Sequence, residues 1–281
     1  MLQRATHHHS EMETRPPAVA GLFYPDDPRE LEAVVGRLLD GAGPAEGPVP
    51  KAIIAPHAGY AYCGPVLAAA WARLAPAKGM VKRVVLLGPA HRARFSGVAV
   101  PSASRFDTPL GPVPVDRAAL HDLLDLPFVH VCDEAHAQEH SLETQLPFLC
   151  QALGEPGKEP RPWGVSIVPL AYGQVGSEQL ASVLARLWDG PENRIVVSSD
   201  LSHFFTYSAA AAMDQRTREA VESIQPWRIG PEQACGYTAI QALLTLAERH
   251  HLHPHTLAMQ SSGDTTGPRE EVVGYGAFSL E

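Results

Sequence analysis

Lys51–Gly64 reads KAIIAPHAGYAYCG, the order of residue types expected of a strand that runs into a loop and then a helix. Ala52-Ile53-Ile54-Ala55 is a continuous apolar run, the pattern of a strand buried on both faces. Pro56 cannot donate to a sheet ladder and so ends it. His57 follows where the chain leaves the strand's carboxyl end, Gly59 and Gly64 leave the backbone free, and Pro65 suits the first turn of a helix over 66–74. Ligand sites of open α/β sheets lie outside the carboxyl ends of strands, which makes His57 a candidate functional residue. The bland alternative is a structural histidine beside a strand.

The same arrangement occurs twice more. RVVLLG at 83–88 is a buried-strand run followed by Pro89-Ala90-His91, and RIVVS at 194–198 is followed by Ser199-Asp200-Leu201-Ser202-His203. Parallel strands in one sheet would bring His57, His91 and His203 to a common edge. Strands alternating with amphipathic helices predict a single α/β domain with a mainly parallel central sheet and helices on both faces.

Composition restricts the function classes. The chain has 281 residues, 45% hydrophobic and 19% charged, with 22 Lys and Arg against 31 Asp and Glu for a net charge of −9. No basic stripe is present, which argues against nucleic acid as a partner. No apolar run reaches the roughly 20 residues a membrane helix needs, and MLQRATHHHS has no apolar core for a signal peptide. A cytoplasmic protein is expected. Cys63, Cys132, Cys150 and Cys235 form no Cys-x-x-Cys pair, so they are expected to be thiols rather than a zinc ribbon or a disulfide scaffold.

Along the chain, residues 1–15 are expected to be disordered, His7-His8-His9 included, and the organised domain to span 16–281. Asp26 or Asp27 can cap a helix with Pro28 in its first turn and Leu31, Val34, Val35, Leu38 and Leu39 on one face. Residues 97–101 predict a short strand, 106–115 an edge hairpin, 116–126 a helix capped by Asp116, and 128–132 another strand. A helix is expected from Ser141 to Leu153, with Pro147 either kinking it or marking its true start. A strand at 163–169, helices at 179–188, 209–224 and 232–250, and a closing strand at 272–280 complete the pattern. No repeat of 20–50 residues occurs.

Cys235 in EQACGYT falls near the start of the 232–250 helix, where free N–H groups favour a thiolate; the alternative is a buried, inert thiol. Asp200 and His203 lie three apart, so the carboxylate could orient the imidazole. His140 sits in EHSLE, a segment that also reads simply as a solvated helix start. His136 and His140 are four apart but lack the His-Glu-x-x-His pattern of a metalloprotease, and the histidines at 250–255 read as surface residues. No nucleophile elbow, P-loop or dinucleotide fingerprint appears.

PHAGYAYCG at 56–64, LGPAH at 87–91, EHSLETQLPF at 139–148, SSDLSH at 198–203 and ACGYTAI at 234–240 together resemble the Memo family, whose bacterial and archaeal members are called AmmeMemoRadiSam system protein B. The resemblance implies a fold similar to the class III extradiol (LigB-type) dioxygenases. It implies one transition metal ion, iron or copper with zinc as a further option, held by His57, His91 and Cys235. His203 falls where those dioxygenases keep an acid/base histidine, Asp200 and His140 stand beside it as catalytic candidates, and Phe23 and Tyr62 fall in the substrate pocket. Where ring-cleaving enzymes pair two histidines with a carboxylate, this chain has Cys235; where the animal proteins have tryptophan at the pocket mouth, it has Phe23. The expected function is a non-haem metal-dependent oxidoreductase acting on a small substrate, with classical ring cleavage disfavoured by the thiolate. The alternatives are a non-catalytic module that binds a peptide, a small ligand or copper, and an accessory partner of a radical SAM enzyme and an AMMECR-type protein.

Overall fold

Ala52, Ile53, Ile54 and Ala55 are all buried and form a strand, as their unbroken apolar run predicts. In the computed structural model, residues 13–155 and 163–281 are described. The strands are β1 (Thr14–Arg15), β2 (Ala52–Ala55), β3 (Arg83–Pro89), β4 (Val98–Val100), β5 (Arg105–Phe106), β6 (Val113–Pro114), β7 (Val129–Val131), β8 (Ser166–Tyr172), β9 (Asn193–Ser198), β10 (His203–Phe205), β11 (Pro254–Ser261) and β12 (Val272–Leu280). The helices are α1 (Pro28–Gly41), α2 (Tyr60–Ala72), α3 (Arg117–Leu123), α4 (Glu134–Ala137), α5 (Leu146–Leu153), α6 (Ser177–Arg186), α7 (Tyr207–Glu222) and α8 (Tyr237–Arg249).

The main sheet runs β10-β12-β2-β9-β3-β8-β4-β7, with β11 also paired to β12. Its centre, β2-β9-β3-β8, is parallel, which brings the carboxyl ends of β2, β3 and β9 to one edge. The margins turn antiparallel: β4 against β8, and β12 against β2, β10 and β11. Helices flank the sheet; α1, α2 and α5 pack on one another, and α6 packs on α8. The α/β class therefore holds, with the parallel part confined to the strands that carry the histidines. No helix among the described residues is long and apolar enough to cross a membrane.

Several boundaries differ from expectation. Of the segment expected to be disordered, residues 1–12 and their histidine triplet lie outside the described residues. Thr14–Arg15, by contrast, is a strand paired with Arg105–Phe106, because Arg15 has partners inside the molecule. The hairpin at β5–β6 joins β1 in a separate three-stranded sheet rather than edging the main one. Asp27 caps α1 through the Glu30 N–H (2.9 Å) and Asp116 caps α3 through the Ala119 N–H (3.0 Å), both as expected. Helix α2 begins at Tyr60, well ahead of Pro65, because the Tyr60 N–H donates to the Phe23 carbonyl (2.8 Å) and fixes the entry at Gly59. Pro147 marks the true start of α5, with a 3-10 turn over Glu143–Gln145 before it. The strand expected at 163–169 is Ser166–Tyr172, in register with β3 from Arg83↔Ser166 to Pro89↔Tyr172. Helix α8 begins at Tyr237, so Cys235 lies in the turn just ahead of it.

Candidate metal centre

Three strand ends and one turn build the site. β2 ends in Pro56 and releases His57, β3 ends in Pro89 and releases His91, and the segment after β9 carries Asp200 and His203. Cys235 reaches the same edge because the turn ahead of α8 presses against β9. A Cβ on Gly236 would lie 2.5 Å from the Ser199 Cβ, so only glycine allows that approach, and the Gly236 N–H donates to the Ser199 hydroxyl (2.9 Å). Gly88 does the same on the other side. A Cβ there would stand 2.9 Å from Ser141 Oγ and Leu142 Cδ2, in the turn that carries Glu139 and His140.

Side-chain donor atoms of His57, His91 and Cys235 all lie within 4.8 Å of one another. His57 Nε2 is 3.4 Å from Cys235 Sγ, and the His57 and His91 rings meet edge to face with centroids 5.2 Å apart. The sequence-predicted ligand set therefore converges. His57 is buried to 1% exposure, whereas the His91 side chain is 30% exposed, which leaves the group accessible from that side. Burial, with His91 and His140 close by, pushes the His57 imidazole well below its usual pKa and keeps it neutral. The thiolate expected of a helix start is not favoured at Cys235. Cys235 is half-buried, and loss of solvent around the thiol followed by the nearby Asp200 charge pushes it up to about 12.

Each histidine has a holder for one ring nitrogen, the arrangement that fixes a ligand's orientation. His91 Nδ1 is 2.9 Å from Glu139 Oε1, and His57 Nδ1 is 2.9 Å from Ser198 Oγ. His203 Nδ1 donates to the Leu201 carbonyl (2.8 Å), which leaves Nε2 as the acceptor. The holder of His203 is thus a backbone carbonyl, an arrangement the need to fix a tautomer allows as readily as Asp200, whose Oδ1 instead accepts the His57 backbone N–H (2.8 Å) and braces the first histidine turn. Burial pushes the Asp200 carboxyl up to about 6, against the lowering effect of that N–H. Beside His203, Phe204 has φ 63, a left-handed conformation rare for a bulky residue, and the β10–β12 pairing shifts register there.

His140 joins the cluster. Its ring stacks on His91 with centroids 4.7 Å apart, and lies 4.9 Å from the half-buried Phe23 ring, but its Nδ1 has no hydrogen-bond partner. Tyr62 is exposed on the first turn of α2. His136 is elsewhere, buried with Nε2 donating to the Ala99 carbonyl (3.0 Å), so it forms no metal pair with His140. Cys63 and Cys150 are buried thiols, as expected. A cleft of about 780 Å³ opens beside Cys235, lined by Pro89, Ala90, Arg94, Tyr172 and Tyr237 among others.

The reading of 139–143 as a solvated helix start fails. Glu139 is 2% exposed and Glu143 is wholly buried. Glu139 Oε1 accepts the N–H groups of His140 and Ser141 (2.9 Å each) as well as His91 Nδ1, while Oε2 accepts the His91 N–H. Burial works to raise its pKa, but the His91 side chain and these N–H groups outweigh burial and hold the carboxyl well below the usual range. Glu143 pairs with Arg15 and accepts from Ala18 N (2.8 Å), Val19 N (2.9 Å) and Tyr24 Oη (2.7 Å). Two acids in one short polar stretch, EHSLE, were the available signal; their partners lie far away in sequence.

Comparison with known proteins agrees with the motifs. The family described as Memo-like protein matches residues 15–279. A MEMO1 family protein of Sulfolobus acidocaldarius is 34% identical, over 93% of this chain and 97% of the relative. One from Thermotoga maritima is 36% identical with the same coverage, and one from Aquifex aeolicus is 33% identical over 94% and 98%.

Proposed function

The chain belongs to the Memo family, and from that premise we propose that His57, His91 and Cys235 hold one transition metal ion in a non-haem oxidoreductase acting on a small substrate. The observation that carries this reading is the convergence of the three donor atoms within 4.8 Å at the carboxyl edge of the sheet. The donor chemistry fits: two imidazoles, each held through its other nitrogen, and a thiol that would release its proton to solvent on binding a metal. Such a set suits copper(I), zinc or an iron of altered potential better than an all-oxygen site would. When bound, the ion would supply a Lewis-acidic, redox-capable centre with positions left open for substrate.

The remaining residues would serve that centre. His203, with Nδ1 committed to Leu201, offers Nε2 to take a proton from a substrate or return it. Asp200 keeps the His57 turn in place, and His140, with Nδ1 turned to Glu139 (3.4 Å), offers a second proton-transfer ring beside Phe23. The cleft beside Cys235 gives a small molecule an approach to the metal group. A second reading, copper capture without turnover, is favoured by one feature, the soft thiol where oxygen-activating iron sites use a carboxylate.

Elemental analysis of protein purified without oxygen, followed by oxygen-uptake assays on the iron-loaded form, tests both. Close to one ion per chain together with substrate-dependent oxygen consumption is the expected result. Tight copper(I) retention without any turnover would move the assignment to the binding module, and absence of any metal affinity would remove the centre altogether.

A further inference from the structure

Behind His57 lies a run of buried side chains whose hydrogen-bond directions can be assigned one after another. The Trp71 indole N–H can only donate, and it points at Gln145 Oε1 (2.8 Å). That contact fixes which end of the Gln145 amide is oxygen, a choice that heavy-atom positions alone leave open. Gln145 Nε2 then spends its two hydrogens on the Pro56 carbonyl (2.8 Å) and on Ser198 Oγ (3.0 Å). Ser198 Oγ also lies 2.6 Å from the Ser141 carbonyl, which cannot donate, so the serine hydrogen goes there. The hydroxyl oxygen keeps one lone pair, and it faces His57 Nδ1 at 2.9 Å. His57 must therefore carry its hydrogen on Nδ1, which leaves the Nε2 lone pair toward Cys235.

We propose that Ser198 and Gln145 are positioning residues for His57: with its hydrogen on the Ser141 carbonyl and one lone pair taken by the Gln145 amide that Trp71 orients, Ser198 sets the tautomer that presents Nε2 to Cys235. The Gln145 amide bonds to Trp71, Pro56 and Ser198, so its effect on His57 passes through one serine hydroxyl. Trp71, Gln145 and Ser198 are wholly buried, so no solvent competes for these donors and acceptors. In such a setting each donor has one acceptor, and the loss of one member leaves the next free to reverse. Glu139 does the equivalent work for His91 with a single carboxylate; at His57 the same end is reached by a neutral relay starting in α2. The metal reading says what the free Nε2 lone pair is for, but the tautomer itself stands or falls without any metal.

Nitrogen-15 NMR of histidine-labelled, metal-free protein tests it directly. In the parent protein the His57 signals should show a protonated Nδ1 and an unprotonated Nε2. Ser198→Ala should mix the two tautomers, Ser198→Thr should restore the parent pattern, and Gln145→Met should mix them while leaving Ser198 in place. Zinc(II) affinity should fall about 10–100-fold in Ser198→Ala and Gln145→Met and recover in Ser198→Thr. A parent protein with its hydrogen on Nε2 would overturn the relay, as would variants that keep a single Nδ1–H tautomer. A parent with the expected tautomer but no zinc affinity would leave the relay standing and remove the metal reading instead.

Discussion

At the scale of single residues, the metal preference proposed for this chain rests on Cys235. Its sulfur stands 3.4 Å from His57 Nε2, where a carboxylate would complete a two-histidine set suited to iron(II) and oxygen. Cys235→Glu is expected to bind iron(II) more tightly and copper(I) more weakly than the parent, since a hard oxygen replaces a soft sulfur. Cys235→Ser should weaken both, because a hydroxyl stays protonated and ligates poorly. Anaerobic titrations of the three proteins with both metals check this; equal copper(I) affinity in all of them would show that the cysteine is an inert thiol. The position of Cys235 beside the histidines was legible in the sequence, but its protonation was not. A helix start argues for a thiolate, whereas the burial that pushes the thiol up to about 12 depends on neighbours such as Asp200, 35 residues away.

At the scale of elements, the turn from Glu139 to Gln145 matters most, and it was the least readable. The strands were legible because a parallel sheet buried on both faces forces unbroken apolar runs, and the prolines at the ends of β2 and β3 place His57 and His91. The turn is polar in sequence and buried in the fold, because its partners come from Arg15, His91 and β9. Arg15 reaches it with Nε on the His136 carbonyl (3.0 Å), Nη2 on the Glu139 carbonyl (2.6 Å) and Nη1 on Glu143. Arg15→Met should therefore leave the Glu143 charge buried without a counter-ion and cost about 3–5 kcal/mol in urea unfolding. The double variant Arg15→Met/Glu143→Gln should recover part of that loss. If the single variant unfolds at the parent's urea midpoint, the pair is not holding the turn. The same absence of local partners explains why Asp200 was assigned to the nearby His203 rather than to His57, 143 residues away.

For the whole molecule, the buried histidines predict how it responds to acid. His136 and His140 are held neutral by burial, which lowers each to about 4, and burial also holds His57 well below its ordinary value. An unfolded chain takes up protons at these residues near their ordinary pKa of about 6.5 while the folded chain does not, so stability is lost as pH falls from 6.5 toward 4. Asp200, raised to about 6, acts in the opposite sense and offsets part of the loss. For His136 alone the loss reaches about 3 kcal/mol by pH 4. Metal-free protein should show a falling urea midpoint across this range, and His136→Gln, which can still donate to the Ala99 carbonyl, should show a shallower fall. Identical slopes would assign the acid sensitivity to other groups.

The pairing of β2 with β12 also has a consequence for synthesis. Ile54, three residues before His57, takes Phe278 as its neighbour, so the strand that delivers the first histidine waits for roughly two hundred further residues before one of its edges is covered. On the ribosome, that edge is a bare row of Ala and Ile residues for most of translation, the kind of surface that recruits chaperones or pairs with a neighbouring nascent chain. Completion of the sheet edge that carries His57 is thereby a late event in the life of the polypeptide, deferred until the far end of the domain has emerged.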